Sequence, residues 1–329
     1  MSRESPGEPI AGTIPMRDRF DLPDGLRRLT QLPDGGEWLR GLPEVIAGLA
    51  EEWHLTLGRP YEDGSVSWVA PVTTDGAPAV LKVQFPHRES EGEADALAAW
   101  DGNGAARLLR RDDDRHALLL EQCRPGTHLA RSEVDHLAVL VDLLPALWVA
   151  APSGIRSLAD EAALWAGHLQ EHWVAAGQPC ERRLVDLALQ YLEELPTTQG
   201  PAVLLHQDLH GDNVLAAERR PWLAIDPKPL AGEREFAVAP IVRSFEFGHS
   251  AGEVTDRLQR LCAELELDEE RAAKWTIAQT VAWSFDSQYA TFHHDTARWL
   301  AARFGARSPG HVSTSHDPRV QGADRNGTG

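Results

Sequence analysis

The sequence is poor in cysteine and in long apolar runs, and each scarcity excludes a class of protein. Its cysteines, Cys123, Cys180 and Cys262, are odd in number, widely spaced and without a CxxC pair. That pattern excludes a disulfide framework and a structural zinc site, and it suits a reducing compartment. No apolar stretch approaches the roughly 20 residues of a membrane-spanning helix, and the N-terminus has no apolar signal core. We therefore expect a cytoplasmic protein with no membrane partner.

Positive charge is also scarce. The formal net charge is −18, which argues against a nucleic-acid partner because such partners require clustered Lys and Arg. The same charge is compatible with a cationic small-molecule partner, and equally with solubility alone. The 329 residues, 42% of them hydrophobic, suffice for two modest domains or one two-lobed domain. A monomer and a homodimer are both open.

The predicted elements change from strands to helices along the chain. The runs "VSWVAPVTT" and "PAVLKVQF" flank a turn at Asp75-Gly76, which predicts a β-hairpin. A helical pattern, "RESEGEADALAAW", and a short apolar strand, "HALLLEQC", follow. Beyond Arg131 helical patterns dominate, for example over 133–149 and 158–175.

This order predicts an α+β chain with two lobes. Both ends have compositions that bury too little apolar surface to offset the entropy of ordering. We predict a flexible N-terminus at 1–15, a small β-rich N-lobe at 16–123, a larger, mainly helical C-lobe at 124–307 and a disordered tail at 308–329.

Residues 204–229, "LLHQDLHGDNVLAAERRPWLAIDPKP", concentrate His and Asp between apolar runs. The alternating residues are His206, Asp208, His210 and Asp212. On a strand they would share one face, as the ligands of a metal-dependent hydrolase would. The turn chemistry of 211–213 breaks that alternation. The nearest other candidates, His293 and His294, are adjacent and point in two directions.

The same stretch also has the order of a kinase catalytic loop. Asp208 stands where the catalytic base is required, and Asn213, five residues later, where a magnesium ligand is required. "VLAA", the turn "ERRP" and "WLAID" then predict a hairpin that brings Asp226 back beside Asn213. Asp226 is therefore a candidate second magnesium ligand, since magnesium prefers oxygen ligands.

A kinase also requires a strand lysine paired with a helix glutamate. "AVLKV" supplies Lys82, and Glu93 shares a helical face with Ala96, Leu97 and Trp100. A carboxylate on the apolar side of a helix requires a buried cation, which predicts a Lys82–Glu93 pair. The alternative is that Lys82 extends into solvent from an edge strand.

Two further segments are candidates for nucleotide contacts. Gly64 and Ser65 lie between strand-like segments, where exposed backbone N–H groups would cover phosphates, although an ordinary hairpin has the same pattern. The linker from Glu121 to Cys123 ends the N-lobe, where an adenine would meet backbone groups.

Taken together, "SWVAPV", "LKV", "ALLLEQCRPGT" and "HQDLHGDNVL...RRPWLAIDPKPLAGEREFAVAPIVR" resemble the aminoglycoside phosphotransferase family, specifically its streptomycin 6-kinase and hydroxyurea phosphotransferase branch. The resemblance runs from about Leu57 to the helices near Trp275. It implies a two-lobed protein-kinase-like fold that transfers the γ-phosphoryl group of ATP to a hydroxyl of a small molecule, with Mg²⁺.

The resemblance also implies roles. Asp208 would be the base, Asn213 and Asp226 the magnesium ligands, and His206 a brace for the catalytic loop. Lys82 would bind the α- and β-phosphates, oriented by Glu93. The branch usually carries Asp directly before "VAP", where this chain has Ala237, and often Asn where it has Ser244. In the family that carboxylate would brace the catalytic loop, so Ala237 predicts a less rigid loop.

A cationic aminocyclitol acceptor such as streptomycin would require carboxylates that converge from the C-lobe. The candidates are Asp160, Glu161, Glu246 and Asp286, each of which is also compatible with a solvated helix face. Asp286 is favoured among them because its neighbours in "VAWSFDSQY" have a buried pattern. A neutral acceptor such as hydroxyurea would require fewer carboxylates. The remaining alternatives are a nucleotide-binding protein that has lost turnover, for which Ala237 is the clue, and the metal-dependent hydrolase.

Overall fold

The computed structural model describes residues 22–62, 66–285 and 287–305. The predicted N-terminal segment at 1–15 and the predicted tail at 308–329 lie outside these residues. The strands of the described part are β1 (Leu55–Leu57), β2 (Ser67–Thr74), β3 (Ala77–Gln84), β4 (Leu108–Asp112), β5 (Ala117–Glu121), β6 (Val203–Leu205), β7 (Val214–Ala216), β8 (Trp222–Ala224) and β9 (Leu230–Gly232). The α-helices are α1 (Gly35–Glu52), α2 (Glu93–Trp100), α3 (His136–Leu147), α4 (Leu158–Ala175), α5 (Arg182–Glu194), α6 (Ala239–Val242), α7 (Ala251–Leu265), α8 (Glu269–Ala282) and α9 (Ala290–Phe304).

The first five strands form an antiparallel sheet in the order β1-β2-β3-β5-β4. The predicted hairpin is confirmed: Thr74 pairs with Ala77 across the turn at Asp75 and Gly76. Both turn residues have positive φ, at 50° and 78°, the conformation that glycine adopts without cost and Asp tolerates. This register places β3 at the centre of the sheet.

Alternation along β3 directs its side chains to two different cores. Leu81 and Val83 pack with α1 in the smaller core. Val80 points to the opposite face, where it packs against the larger core that includes Leu97 of α2. Because successive side chains of a strand point to opposite faces, Lys82 lies on the same face as Val80. The strand thus directs its one charged side chain towards α2.

The helices that follow the sheet form the larger lobe around a core that includes Trp275 and Phe236. Helix α4 spans the predicted residues, with the Ser157 hydroxyl accepting from Asp160 N at its start. Helix α3 begins later than predicted because Asp135 caps it, with its carboxylate accepting a hydrogen bond from Ala138 N, and it ends at Leu147. Among the described residues, no helix combines the length and the apolar character needed to cross a bilayer.

Two small ribbons in this lobe carry the stretch between 204 and 229. Strands β7 and β8 pair as the predicted hairpin, with Val214 opposite Ala224, and β6 pairs with β9. Ala224 also exchanges backbone hydrogen bonds with the segment after α2, through Gly104 O and Ala106 N at 2.8 and 2.9 Å. The ribbon is therefore fixed directly to the segment that connects α2 to the sheet.

Candidate active site

A buried lysine joins the sheet, helix α2 and the end of β8. Lys82 Nζ donates to both carboxylate oxygens of Glu93, at 2.8 and 2.7 Å, and also to Asp226 Oδ1. Gln84 Nε2 donates to Glu93 as well. Lys82 and Glu93 are only 5% and 2% exposed. The predicted Lys82–Glu93 pair is confirmed, and the edge-strand alternative is wrong because β3 is central and Nζ is enclosed.

Burial and ion pairing act in opposite directions on the pKa values of these three side chains. Burial lowers the pKa of Lys82, but Asp226 and Glu93 together raise it above its ordinary value. Burial raises the pKa of Glu93, and Lys82 opposes that rise. Burial also raises the pKa of Asp226, but the charge and hydrogen bond of Lys82, together with the charge of Lys228, bring it below its ordinary value. The ammonium therefore holds two carboxylates in place where the lobes meet.

The carboxylate of Asp208 lies among three polar side chains. Lys228 Nζ lies 3.1 Å from Asp208 Oδ2, and Arg243 Nη2 lies 3.4 Å from Oδ1. Asn213 Nδ2 donates to Asp208 O at 2.8 Å. Burial raises the pKa of Asp208, but Lys228, His210 and Arg243 lower it to well below its ordinary value. Asp208 is therefore ionised at neutral pH and ready to accept a hydrogen bond from a hydroxyl.

Asn213 and Asp226 have the donor chemistry of a magnesium site. Ile225 N donates to Asn213 O at 2.9 Å, which places Asp226 immediately beside Asn213, as predicted. The hydrogen bond from Asn213 Nδ2 to Asp208 O directs the amide oxygen of Asn213 the other way. Asp226 itself has φ of 56°, an uncommon conformation for a non-glycine residue. Oxygen atoms on neighbouring side chains fit a hard cation such as Mg²⁺.

His206 lies beneath this loop. Its ring stacks on Trp100 at 6.1 Å, and its Nε2 lies 2.9 Å from Ile225 O. Burial lowers the pKa of His206 to about 4, so the ring is neutral at pH 7. Its Nε2–H donates to the carbonyl directly before Asp226. Through these contacts, His206 connects the loop that carries Asp208 to the segment that carries Asp226.

Two further side chains contact the backbone of residues 207–211 from outside this loop. Gln279 of α8 donates to Gln207 O at 3.4 Å. Glu246 accepts a hydrogen bond from Gly211 N and lies 3.4 Å from His210 Nδ1. Glu246, predicted as an acceptor ligand, is thus a support of this loop.

The hydrolase interpretation does not match these contacts. His210, Asp212 and Glu246 have ligand atoms within 4.8 Å of one another, but Glu246 is already bonded to the loop backbone. His206 and Asp208, which that interpretation required, bind a carbonyl and two cations.

The linker at the end of β5 is held by an arginine. Arg219 binds both carboxylate oxygens of Glu121, each at 2.8 Å, and also donates to Gly102 O. Burial raises the pKa of the Cys123 thiol to about 12, and Cys123 packs with Leu223 in a small apolar cluster. Both oxygens of the Glu121 carboxylate are therefore occupied by Arg219. A ligand at this linker would contact its backbone groups instead.

A cavity of about 470 Å³ lies between the lobes next to Lys228. Its lining residues are Arg88, Glu89, Glu161, Leu164, Trp165, His168, Leu169, His172, Lys228, Ala282, Trp283 and Ser287. Glu161 lines it as predicted, but its buried carboxylate already binds Arg88 at 2.8 Å and Arg156 at 2.5 Å. Asp160 is exposed in the first turn of α4 and is not among the described residues that line this cavity.

Three predicted site residues, Gly64, Ser65 and Asp286, lie outside the described residues. The sequence prediction also missed contributors, chiefly Lys228, Arg243 and the Arg88-Glu89 pair. Lys228 had a usable signal, since the chain's lysines are only Lys82, Lys228 and Lys274. Charges such as Arg88 and Glu89 gave none, because a charge-rich segment before a helix usually faces solvent.

Comparison with solved structures defines the fold. The choline kinase LicA from Streptococcus pneumoniae matches with a TM-score of 0.59 at 14% identity, over 79% of this chain and 99% of that chain. Aminoglycoside phosphotransferase APH(4)-Ia, in a ternary complex with ADP and hygromycin B, matches with a TM-score of 0.53 at 15% identity, over 78% of this chain and 95% of that chain. The fold is thus protein-kinase-like, with a β-sheet lobe and a helical lobe as predicted.

Sequence relatives define the family. A model of the family "Aminoglycoside/hydroxyurea antibiotic resistance kinase" matches residues 52–287. Hydroxyurea phosphotransferase of Kitasatospora aureofaciens is 41% identical over 75% of this chain and 73% of its own length. Streptomycin 6-kinase of Streptomyces griseus is 36% identical over 82% of this chain and 92% of its own length. The chain belongs to this kinase family, and it is a phosphotransferase.

Proposed function

We propose that this kinase transfers the γ-phosphoryl group of ATP to a hydroxyl of a small acceptor, either an aminocyclitol antibiotic of the streptomycin type or hydroxyurea. The observation that carries the proposal is the convergence of the Lys82–Glu93–Asp226 group with Asp208 and Asn213 at one cleft. Phosphoryl transfer depends on positioning and charge stabilisation, which these side chains supply together.

Each nucleotide contact has a proposed residue. Lys82, held by Glu93, would bind the α- and β-phosphates, and the backbone from Glu121 to Cys123 would meet the adenine. Asn213 and Asp226 would hold Mg²⁺, which when bound neutralises charge on the phosphates. Gly64 and Ser65 remain proposed phosphate contacts on the basis of the sequence alone.

Asp208 is the proposed base. Its ionised carboxylate would orient the acceptor hydroxyl and take its proton as the new oxygen–phosphorus bond forms. His206 would hold the loop that carries Asp208 against the segment that carries Asp226. The neutral His206 ring suits this task, because a donor Nε2–H needs no change of protonation.

The acceptor would occupy the cavity beside Lys228. Its walls combine two tryptophans, Trp165 and Trp283, in an edge-to-face arrangement at 6.0 Å, with carboxylates Glu89 and Glu161. A cationic acceptor would compete with Lys228 and Arg88 for these carboxylates. Asp286, favoured by the sequence, and Asp160 and Glu246 remain proposed acceptor contacts on the basis of the sequence alone.

The test combines purified protein, Mg-ATP and a panel of acceptors that includes streptomycin, other aminoglycosides and hydroxyurea. Mass spectrometry would detect the added phosphoryl group. Asp208→Asn should abolish the product, whereas Asp186→Asn, which alters an exposed carboxylate on α5, should leave it unchanged. ATP-induced thermal stabilisation without transfer to any acceptor would instead identify a nucleotide-binding protein that has lost turnover.

A further inference from the structure

We propose that Lys228 binds the transferring phosphoryl group and is a catalytic residue of this kinase. The proposal rests on the function proposed above. It assigns to the positive charge of Lys228 the stabilisation of the phosphoryl group during transfer. A phosphoryl group in transfer spreads negative charge over its three equatorial oxygens, and fixed cations beside it lower the barrier.

The position of Lys228 is the first argument. Its Nζ lies 3.1 Å from Asp208 Oδ2, the proposed base, and 3.3 Å from Glu89 Oε2 across the cleft. The side chain is 26% exposed, and it lines the cavity between the lobes. The ammonium therefore lies where the acceptor hydroxyl and the γ-phosphate must meet.

One side of the Lys228 ammonium already contacts an anionic group, the carboxylate of Glu89. Glu89 approaches Lys228 from the N-lobe, and its carboxylate is 40% exposed at the cleft. A phosphoryl oxygen that entered the cleft would take the place of this carboxylate without disturbing Asp208. Trp283 fixes the lysine from another side, with its ring 5.3 Å from Nζ.

Other cations near Asp208 are less suited to this task. The catalytic loop from 208 to 213 contains no Lys or Arg, and its His210 is engaged by Glu246. Arg243 is 11% exposed, stacks over Trp283 at 4.8 Å, and keeps its Nε buried. Lys82 is held by Glu93 and Asp226. Among the described residues, Lys228 is thus the cation that touches both Asp208 and the open cavity.

The proposed step balances without a change in the charge of Lys228. The acceptor oxygen forms a bond to the γ-phosphorus as the bond from that phosphorus to the β,γ-bridging oxygen breaks. The bridging oxygen leaves with the electron pair as part of ADP, and the acceptor proton passes to Asp208. Lys228 keeps its protons and donates hydrogen bonds to the moving phosphoryl oxygens throughout.

The chain offers a closely matched control lysine. Lys274 on α8 is 20% exposed, lies 2.9 Å from Glu270 and 4.0 Å from Glu194, and packs over Tyr191 at 5.6 Å. Like Lys228, it is a mostly buried ammonium with two carboxylates and an aromatic ring. It lies outside the cavity beside Asp208.

The experiment compares the wild type with Lys228→Met, Lys228→Arg and Lys274→Met. For Lys228→Met we expect kcat to fall by about 100- to 1000-fold, the loss typical of removing one transition-state donor, with the KM values for ATP and acceptor within about 3-fold of the wild type. Lys228→Arg should recover much of kcat because it retains the charge. Lys274→Met should keep kcat.

A second measurement keeps the proposal testable without turnover. ADP with aluminium fluoride mimics the transferring group, and its binding in the presence of Mg²⁺ can be measured by calorimetry. Lys228→Met should lose most of the gain that aluminium fluoride gives over ADP alone, while its affinity for ADP is unchanged. If Lys228→Met does not fold, Lys228→Gln takes its place in both measurements.

The outcomes separate the two proposals. A wild type that neither phosphorylates an acceptor nor hydrolyses ATP overturns the proposed function, and the role of Lys228 with it. An active wild type whose Lys228→Met variant keeps kcat and raises only the KM for the acceptor overturns the role of Lys228 alone. Equal losses in Lys228→Met and Lys274→Met would also overturn it, since they would indicate a structural effect.

Discussion

Glu93 accepts a hydrogen bond from Lys82 on each of its carboxylate oxygens, and a third arrives from Gln84. One buried carboxylate therefore fixes the lysine of the central strand to the helix beside it. Removing one partner of such a pair leaves the other charge buried and poorly compensated.

We expect Glu93→Gln to lower the free energy of unfolding by about 1–3 kcal/mol, because an amide cannot balance the buried ammonium. The misplaced Lys82 should also lower kcat/KM for ATP by up to about 100-fold. Urea denaturation and steady-state kinetics would measure both. The control is Asp95→Asn on the same helix, which breaks an exposed pair with Arg111 and should change stability by less than about 1 kcal/mol. Equal effects of the two substitutions would contradict the assignment.

Arg219 offers a test of the linker. Because its planar fork binds Glu121 through two parallel hydrogen bonds, lysine cannot replace it. We expect Arg219→Lys to lower the melting temperature and to raise the KM for ATP several-fold, with kcat unchanged. Differential scanning calorimetry and kinetics would report these changes. As a control, Arg220→Lys, which changes the neighbouring exposed arginine, should match the wild type. A wild-type KM for ATP in Arg219→Lys would show that the Arg219–Glu121 pair does not affect ATP binding.

The charge of the acceptor can be tested through Glu161. Glu161→Gln removes the carboxylate that pairs with Arg88 in the cavity wall and with Arg156 behind it. The excess positive charge should raise the KM for a cationic acceptor such as streptomycin by about 10-fold, equivalent to about 1.4 kcal/mol, and affect hydroxyurea much less. The exposed Glu171→Gln on the same helix is the control. A parallel rise for both acceptors would indicate loss of structure rather than loss of charge.

The buried His206 predicts a pH dependence of stability. Its pKa in the folded protein is lowered to about 4 from the ordinary histidine value of 6.5, chiefly by burial. Between these values the unfolded chain binds more protons than the folded one, so the free energy of unfolding falls as the pH is lowered through this window. The slope from one such group is at most about 1.4 kcal/mol per pH unit.

Urea titrations at pH 7, 6 and 5 would measure this slope. His206→Gln should show a shallower decrease than the wild type over that range, and the exposed His172→Gln should not. An unchanged slope in His206→Gln would mean that the folded protein protonates this ring as readily as the unfolded chain does.

The sequence predicted the elements whose signals are local. The hairpin at Asp75-Gly76, the span of α4 and the β7–β8 hairpin each follow from turn residues, caps or periodicity. The pair of Lys82 with Glu93 was also predictable, because a charge on an apolar strand and a charge on an apolar helix face each require a partner.

The partners of Asp208 and the supports of its loop were not predictable in this way. Lys228 and Arg243 reach Asp208 only because β9 and α6 fold back beside the loop. Glu161 was predicted as a free acceptor ligand, but Arg88 and Arg156 bind it from two different elements. Such contacts depend on tertiary placement, and the periodicity of a segment contains no information about them.

Arg88 and Glu89 are consecutive residues of one short 3-10 turn, Arg88–Ser90, that directly precedes α2. Through this turn, the N-lobe contacts Glu161 on one side and Lys228 on the other, while the helix it leads into carries Glu93. An acceptor that displaced Arg88 would therefore act on the same segment that carries Glu93, the partner of Lys82. Thermodynamic linkage then requires reciprocity: any factor by which such an acceptor changes the affinity for ATP is the factor by which ATP changes the affinity for the acceptor.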